Sequence, residues 1–286
     1  MLFGFIGVGA MGGGLARNLI RAGKAVYVFD LNPEAIEKTL AAGSSGKAVD
    51  GVSGLSEADV IFTSLPMPEN LEDVMLGENG LLASMKTGST YIDISTIDPQ
   101  TARKLSNAAE EKGIQFLACP LGKTPAHAEK AEEPIFAGGT KAVFDSMKPT
   151  LEIIGNPVYY LETVEAACAV KLISNLIGMT NLVVLAEGMR IGEKAGIESK
   201  YLLELLADTG AKSMQLDLRG PWIADGDFAS RFGLDLTVKD LRLGCEMADA
   251  WGNDANTMRA ALVYYKQASA EGLGKEDCNS VYKIIK

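Results

Sequence analysis

Residues 2–7, LFGFIG, form a short apolar strand signal that runs directly into Gly7-Val8-Gly9-Ala10-Met11-Gly12. A GxGxxG pattern alone is a weak signal. Here it follows a strand and opens a run with helical apolar spacing over 12–22, closed by Gly23. In that context Gly7 permits a tight turn, Gly9 lets backbone approach a pyrophosphate, and Gly12 permits close helix-strand packing. The helix start at Ala10 and Met11 offers free N–H groups and the positive end of a helix dipole to phosphates.

The pattern then repeats. AVYVF at 25–29 is a second strand, and Asn32 caps a helix with Pro33 at its first position. Further strand signals lie at 60–65, 90–95 and 114–118. Asp98-Pro99 opens another helix, and PIFAG and PVYYL flank a helix over about 141–153. Strands alternating with helices predict βαβ units and a mostly parallel, doubly wound sheet. The second strand ends in Asp30, placed to accept hydrogen bonds from adenosine ribose hydroxyls and to repel a 2′-phosphate. Leu31 and Asn32 follow it without an arginine, so NAD is expected over NADP. With no sign of an isoalloxazine domain, FAD is the weaker alternative.

After about residue 160 the strand signals stop. One helical pattern, apolar over most of its circumference, covers 162–194, and the remainder reads as helices with short turns. The expected organisation is an α/β, Rossmann-type doubly wound domain at 1–161, a linking helix at 162–194 and an all-helical domain at 195–286. A helix this apolar predicts burial in a core or association into a homodimer or homotetramer.

A net charge of -10 without a basic cluster argues against nucleic acid and anionic lipid as partners. One histidine and four scattered cysteines argue against a Cys/His zinc site or any other metal centre, and fit a reducing cytoplasm. The opening segment lacks a basic n-region, and no run of about 18 uninterrupted apolar residues is found, so no signal peptide or membrane span is expected.

Lys171 and Asn175 stand at i and i+4 in VKLISN and share a helix face. An alkoxide developing after hydride transfer needs a proton and positive charge, and a lysine desolvated by apolar neighbours can supply both. The alternative is a lysine snorkelling at a helix end. Ser95 and Thr96 end a strand at the edge where parallel sheets bind ligands; the alternative is an ST-turn.

GFIGVGAMGGGLARNLIRAG, VMLGENGLL, DISTIDP, VKLISN, LTVKDL and GLGKED together resemble the β-hydroxyacid dehydrogenase family, in order and over nearly the whole chain. The resemblance implies a Rossmann-type domain, a long helix and a helical domain. It implies Lys171 as general acid/base, Asn175 on the substrate, Ser95 and Thr96 near nicotinamide and substrate, and Lys239 of Lys239-Asp240 near cofactor or substrate. Leu65 and Pro66 would line the cofactor. The expected reaction interconverts a small anionic β-hydroxyacid and its semialdehyde.

Two departures stand out. The family's Ser-Gly-Gly substrate loop is replaced by Gly122-Lys123-Thr124, similar to the loop of sulfolactaldehyde reductases, where a basic side chain receives a sulfonate. Lys123 can meet a sulfonate, phosphonate or carboxylate as a point charge, or stand as an ordinary loop lysine. His127 follows it, either lining the same pocket or at the surface. Glu165 and Ala167 replace two family glycines before Lys171, and Glu165 either narrows the substrate space or caps the helix. Arg231 is a second candidate anion contact. An imine reductase and a non-catalytic NAD-binding module share the scaffold, but both tend to lack the lysine.

Overall fold

The structure is a computed structural model describing residues 1–286. It contains two compact units, 1–171 and 172–286.

The first unit is built on one eight-stranded sheet: β1 (Leu2–Ile6), β2 (Ala25–Phe29), β3 (Gly46–Ala48), β4 (Val60–Thr63), β5 (Thr90–Asp93), β6 (Gln115–Ala118), β7 (Ile135–Gly139) and β8 (Val158–Leu161). Their order is β3-β2-β1-β4-β5-β6-β7-β8, parallel throughout except for the β6–β7 pair. The chain works outward from β1 to β3, then returns past β1 to β4. That reversal is the topological switch point, where open α/β sheets bind ligands beyond the strand carboxyl ends.

Both sheet faces are covered, which is why the strands read as nearly continuous apolar runs. Phe3, Phe5, Val60, Phe62 and Ile92 face one helical layer with Leu15, Leu19 and Leu151. Ile6, Ile61 and Tyr91 face the other, with Leu71, Met75 and Leu105. This period-2 alternation fixes register, since a one-residue slip would exchange the two faces. The helices start where the residue chemistry demands. Asn32 Oδ1 accepts the Glu34 N–H at 3.0 Å ahead of α2 (Pro33–Leu40), after α1 (Gly12–Arg21). α3 (Pro68–Leu76) follows β4. Asp98 accepts the N–H groups of Gln100 and Thr101 ahead of α4 (Pro99–Glu111). α5 (Pro125–Glu129) and α6 (Lys141–Ile154) complete the unit. β3, with the sequence GKA, had no strand signal. It is a three-residue edge strand without a buried side chain, held by backbone pairing to β2.

α7 (Val164–Lys194) begins in the first unit, where Val164, Ala167 and Cys168 join the sheet core. Thr163 Oγ1 accepts the Ala166 N–H at 3.1 Å, so Thr163, not Glu165, caps this helix. From Leu172 onward α7 belongs to the second unit, with α8 (Ser199–Ala207), α9 (Met214–Ala224), α10 (Leu234–Ala250) and α11 (Asn256–Ala268). Leu182, Ala186, Met189, Leu241 and Tyr265 form its core. A Cβ on Gly244 would lie 2.7 Å from the Leu176 side chain, so glycine lets α10 approach α7 closely. By length and mean hydropathy α7 could cross a bilayer, although it is interrupted by polar residues. Half of its most apolar window is buried inside the protein.

Candidate active site

The glycine loop between β1 and α1 is set by space as well as conformation. Gly7 has φ +83°, and a Cβ there would lie 2.3 Å from the Ser64 carbonyl oxygen. A Cβ on Gly12 would lie 2.1 Å from the Gly7 carbonyl oxygen. Gly9 differs: a Cβ there would meet nothing within 4 Å, and both Gly9 and Ala10 are exposed. The open side of the loop is therefore at Gly9, where a ligand can reach the backbone. No side chain caps α1 at Met11; in its first turn the Gly13 N–H donates to the Gly9 carbonyl at 3.0 Å and the Gly14 N–H to the Met11 carbonyl at 3.1 Å.

Asp30 ends β2 beside this loop. Its Oδ2 accepts the Val8 N–H at 2.7 Å and its Oδ1 the Asn32 N–H at 2.8 Å. The carboxylate is thus fixed in place, and each oxygen keeps a lone pair for a ribose hydroxyl. Leu31 beside it is 91% exposed. These residues fit the adenosine half of a nicotinamide dinucleotide.

Leu65 and Pro66 follow β4 across the switch point. Gly7 packs against Leu65, and the buried Ser95 hydroxyl holds the Leu65 N–H at 3.0 Å. Ser95 therefore shapes the Leu65 loop. Asp93, buried at the end of β5, accepts from Thr63 Oγ1 at 2.7 Å and from the Ser95 N–H at 3.1 Å. Thr96 is half-buried in the segment between β5 and α4.

The loop after β6 carries Gly122, Lys123 and Thr124. The Gly122 N–H donates to the Pro134 carbonyl at 2.9 Å, and Leu121 bridges Ile135. Lys123 is exposed, and its Nζ is 3.4 Å from the Glu132 carbonyl oxygen. Thr124 Oγ1 lies 2.8 Å from His127 Nδ1, so His127 is tied to its own helix start. α5 is docked onto α1: Asn18 Nδ2 donates to the Ala128 carbonyl at 2.8 Å, and Arg17 and Arg21 both pair with Glu129. Those hydrogen bonds, led by Arg17, hold the Glu129 carboxyl down at about 2.

The sequence reading missed Glu133. In Glu132-Glu133-Pro134 it resembles a solvated turn, yet it has no exposed surface. Its Oε2 accepts the Lys123 N–H at 2.6 Å. Burial pushes its carboxyl up to about 7, opposed by that N–H and then by the charges of Lys171 and Lys123. Lys171 is half-buried near the start of α7. Glu165 forms a two-pronged ion pair with Arg103 of α4, through Oε1 to Nε and through Oε2 to Nη2 at 2.6 Å. Ala167 packs on Gly138, where any Cβ would be 2.7 Å from the Ala167 Cβ.

In the second unit Asp240 joins two sequence-predicted residues. Its Oδ2 accepts Asn175 Nδ2 at 2.6 Å, and its Oδ1 lies 2.8 Å from Lys239 Nζ. Lys239 and Asp240 are both buried, so they are not a solvated surface pair. Arg231 points elsewhere. Its guanidinium stacks 4.0 Å from the Trp222 ring centroid, pairs with Asp227 and donates to the Ala229 carbonyl.

A switch-point sheet with a glycine loop and a fixed acid defines the first unit as a dinucleotide-binding unit. Two family models divide the chain between them. One, described as the NAD binding domain of 6-phosphogluconate dehydrogenase, matches residues 2–164. The other, described as NAD-binding of NADP-dependent 3-hydroxyisobutyrate dehydrogenase, matches residues 166–285. The chain is 35% identical to 2-(hydroxymethyl)glutarate dehydrogenase of Eubacterium barkeri, covering 98% of this chain and 93% of that one. It is 31% identical to the NAD-dependent L-serine dehydrogenase of Pseudomonas aeruginosa, covering 98% and 96%. Among solved structures, 3-hydroxyisobutyrate dehydrogenase from Salmonella typhimurium superposes with a TM-score of 0.91 at 29% identity, covering 99% of each chain. The chain belongs to the β-hydroxyacid dehydrogenase family, and NAD is its cofactor class.

Proposed function

We propose that this protein interconverts a small anionic β-hydroxyacid and its semialdehyde, using NAD in preference to NADP, with Lys171 moving the proton. The reading is carried by the glycine loop open at Gly9 beside the fixed Asp30 carboxylate, in a chain of the β-hydroxyacid dehydrogenase family that keeps Lys171. The dinucleotide, when bound, supplies or accepts the hydride. Lys171 donates a proton to the alkoxide oxygen in reduction and removes it in oxidation. Thr96, Gly122, Lys123, Thr124 and Asn175 are assigned to the substrate, and Ser95 to holding the Leu65 N–H. Asp240 orients Asn175 and Lys239. The preference for NAD follows from Asp30, whose fixed carboxylate would meet a 2′-phosphate with like charge. Four free, buried cysteines support a reducing compartment, the cytoplasm.

The test is oxidation of NADH and of NADPH, followed at 340 nm, with a panel of carboxylate semialdehydes and sulfolactaldehyde. NADH is expected to support turnover at least about tenfold better than NADPH, the cost of one unfavourable charge contact. Lys123→Ala is expected to raise KM for the preferred anion by about five- to fiftyfold with little change in kcat. A sulfonate preference that collapses in that variant selects the sulfolactaldehyde reading. Unchanged kinetics on every substrate removes Lys123 from the site.

α7 also supports self-association. Ile173, Ile177, Val184 and Ile191 are 43, 48, 57 and 70% exposed and recur at spacings of four and seven along one helix side. A homodimer or homotetramer is expected by sedimentation equilibrium. A 30.3 kDa monomer at micromolar concentration would show that this stripe is not an interface.

A further inference from the structure

Asp93 ends β5 as a buried carboxylate at the carboxyl edge of the sheet, in register with Thr63 at the end of β4. The residues around it form one hydrogen-bonded chain. The Tyr91 hydroxyl lies 3.0 Å from Thr63 Oγ1, and Thr63 Oγ1 donates to Asp93 Oδ1 at 2.7 Å. A threonine hydroxyl has one proton, so Tyr91 donates to Thr63 and the chain runs toward the carboxylate. The same Oδ1 accepts the Ser95 N–H at 3.1 Å, and the Ser95 hydroxyl oxygen accepts the Leu65 N–H at 3.0 Å. Thr63 and Leu65 flank Ser64, which backs the glycine loop at two points. A Cβ on Gly7 would lie 2.3 Å from the Ser64 carbonyl oxygen, and one on Gly12 would lie 2.8 Å from the Ser64 Cβ. The Leu65 side chain lies 3.1 Å from the same Gly7 position. The backbone bonds of the sheet reach the Ser64 N–H, which donates to the Ile6 carbonyl at 2.9 Å; beyond it, Ser95 holds Leu65. Both neighbours of Ser64 are thus tied to Asp93, Thr63 directly and Leu65 through Ser95. An acid retained in the core at the cost of its desolvation calls for a role.

We propose that Asp93 is a positioning residue for the dinucleotide: its carboxylate fixes the Ser64-Leu65 backing of the glycine loop, and with it the backbone that receives the pyrophosphate at Gly9. It acts through Thr63, Ser95 and Leu65. The glycine loop is then held from two sides, by Asp30 at the Val8 N–H and by Ser64 beneath Gly7 and Gly12. A loop fixed before the ligand arrives loses less freedom on binding, and affinity is gained by that saving. Burial, and then the Asp93 charge, raise the Tyr91 hydroxyl well above its ordinary pKa, so it remains a donor to Thr63. This role concerns the nucleotide alone, so it stands or falls apart from Lys171 and the substrate.

Neither measurement needs turnover. The first uses the nucleotide-free protein. Amide hydrogen exchange at Leu65, read by NMR, is expected to speed by at least about tenfold in Ser95→Ala and in Asp93→Ala, since one removes the acceptor and the other its anchor. The second is the dissociation constant of NADH, read by nucleotide fluorescence beside the melting temperature of each variant. Asp93→Ala and Ser95→Ala are each expected to weaken NADH by about five- to thirtyfold. Asp93→Asn keeps an oxygen for Thr63 and for the Ser95 N–H, and is expected to bind NADH within about threefold of wild type. The double variant Asp93→Ala/Ser95→Ala is expected to lose less than the product of the two single losses, because both act on one N–H. A melting temperature that falls while NADH affinity stays at the wild-type level shows a purely structural acid and overturns the proposal. So does a Leu65 amide unmoved in both single variants, or losses that multiply in the double variant. If Asp93→Ala does not fold, Ser95→Ala decides: wild-type NADH affinity in that variant overturns the proposal, and a weakened one with rescue in Asp93→Asn supports it.

Discussion

Lys171→Ala is expected to lower kcat by about 10²- to 10⁴-fold, the range that a positioned proton donor contributes. NADH binding, followed by nucleotide fluorescence, is expected to stay within about threefold of wild type. The loss corresponds to roughly 3–5 kcal/mol of transition-state stabilisation. Lys171→Arg separates proton transfer from charge. Arginine keeps the cation but does not release a proton near neutrality, so a proton-transfer role predicts little rescue. Restoration of most of the rate by arginine would mean that Lys171 acts by charge alone. Full turnover in the alanine variant would end its role in the chemistry.

The largest expected effect on stability lies in the helical unit, at Asp277. Its carboxylate has no exposed surface and accepts from Arg219 Nε at 3.1 Å, from the N–H groups of Arg231 and Phe232 at 3.1 and 2.8 Å, and from the Asn279 N–H at 3.2 Å. Arg219 is itself buried and also donates to Gln215 Oε1 at 2.9 Å. One carboxylate thus organises the loop before α10 and the last turn of the chain. Asp277→Ala strands a buried guanidinium and several N–H groups, at an expected cost of about 3–5 kcal/mol. Urea unfolding followed by helical circular dichroism checks this. Asp277→Asn keeps an acceptor geometry without the charge, so a smaller loss is expected. A shift below about 1 kcal/mol in Asp277→Ala would mean that water replaces the carboxylate at little cost.

Glu133 has a linked effect on stability, opposite in sign to that of a salt-bridged acid. Its folded-state pKa is raised from 4.5 to about 7, so the folded protein holds this proton more tightly than the unfolded chain. Its contribution is fully favourable below pH 4.5 and is lost as the pH rises through about 7.

The cofactor half of the site was legible because its chemistry is local. A glycine turn, a helix start and an acid at a strand end follow one another within the first thirty residues, and each needs only its neighbours to make sense. Asn32 and Asp98 were legible as caps for the same reason. β3 was not, because an exposed three-residue edge strand carries no apolar pattern and exists only where β2 offers it hydrogen bonds. The roles open to Glu165 and Arg231 depended on partners far along the chain or across a loop. Arg103 lies 62 residues from Glu165, and the Trp222 ring lies on the preceding helix.

By itself the sequence determined the alternation of strands and helices, the switch to an all-helical second half, the glycine loop with Asp30, and the candidacy of Lys171 and Asn175. The elements and the glycine loop follow from periodicity, capping and spacing, which act over a few residues, while the roles of Lys171 and Asn175 are what the family resemblance implies. Only the tertiary structure decided that Glu133 is buried against the Gly122-Lys123-Thr124 loop, where it takes the Lys123 N–H. It alone joined Asp240 to both Asn175 and Lys239 and tied Arg231 to Asp227 and Trp222. The physical reason is desolvation: a charge costs little in a solvated turn and much inside a fold, and its side chain is the same in both.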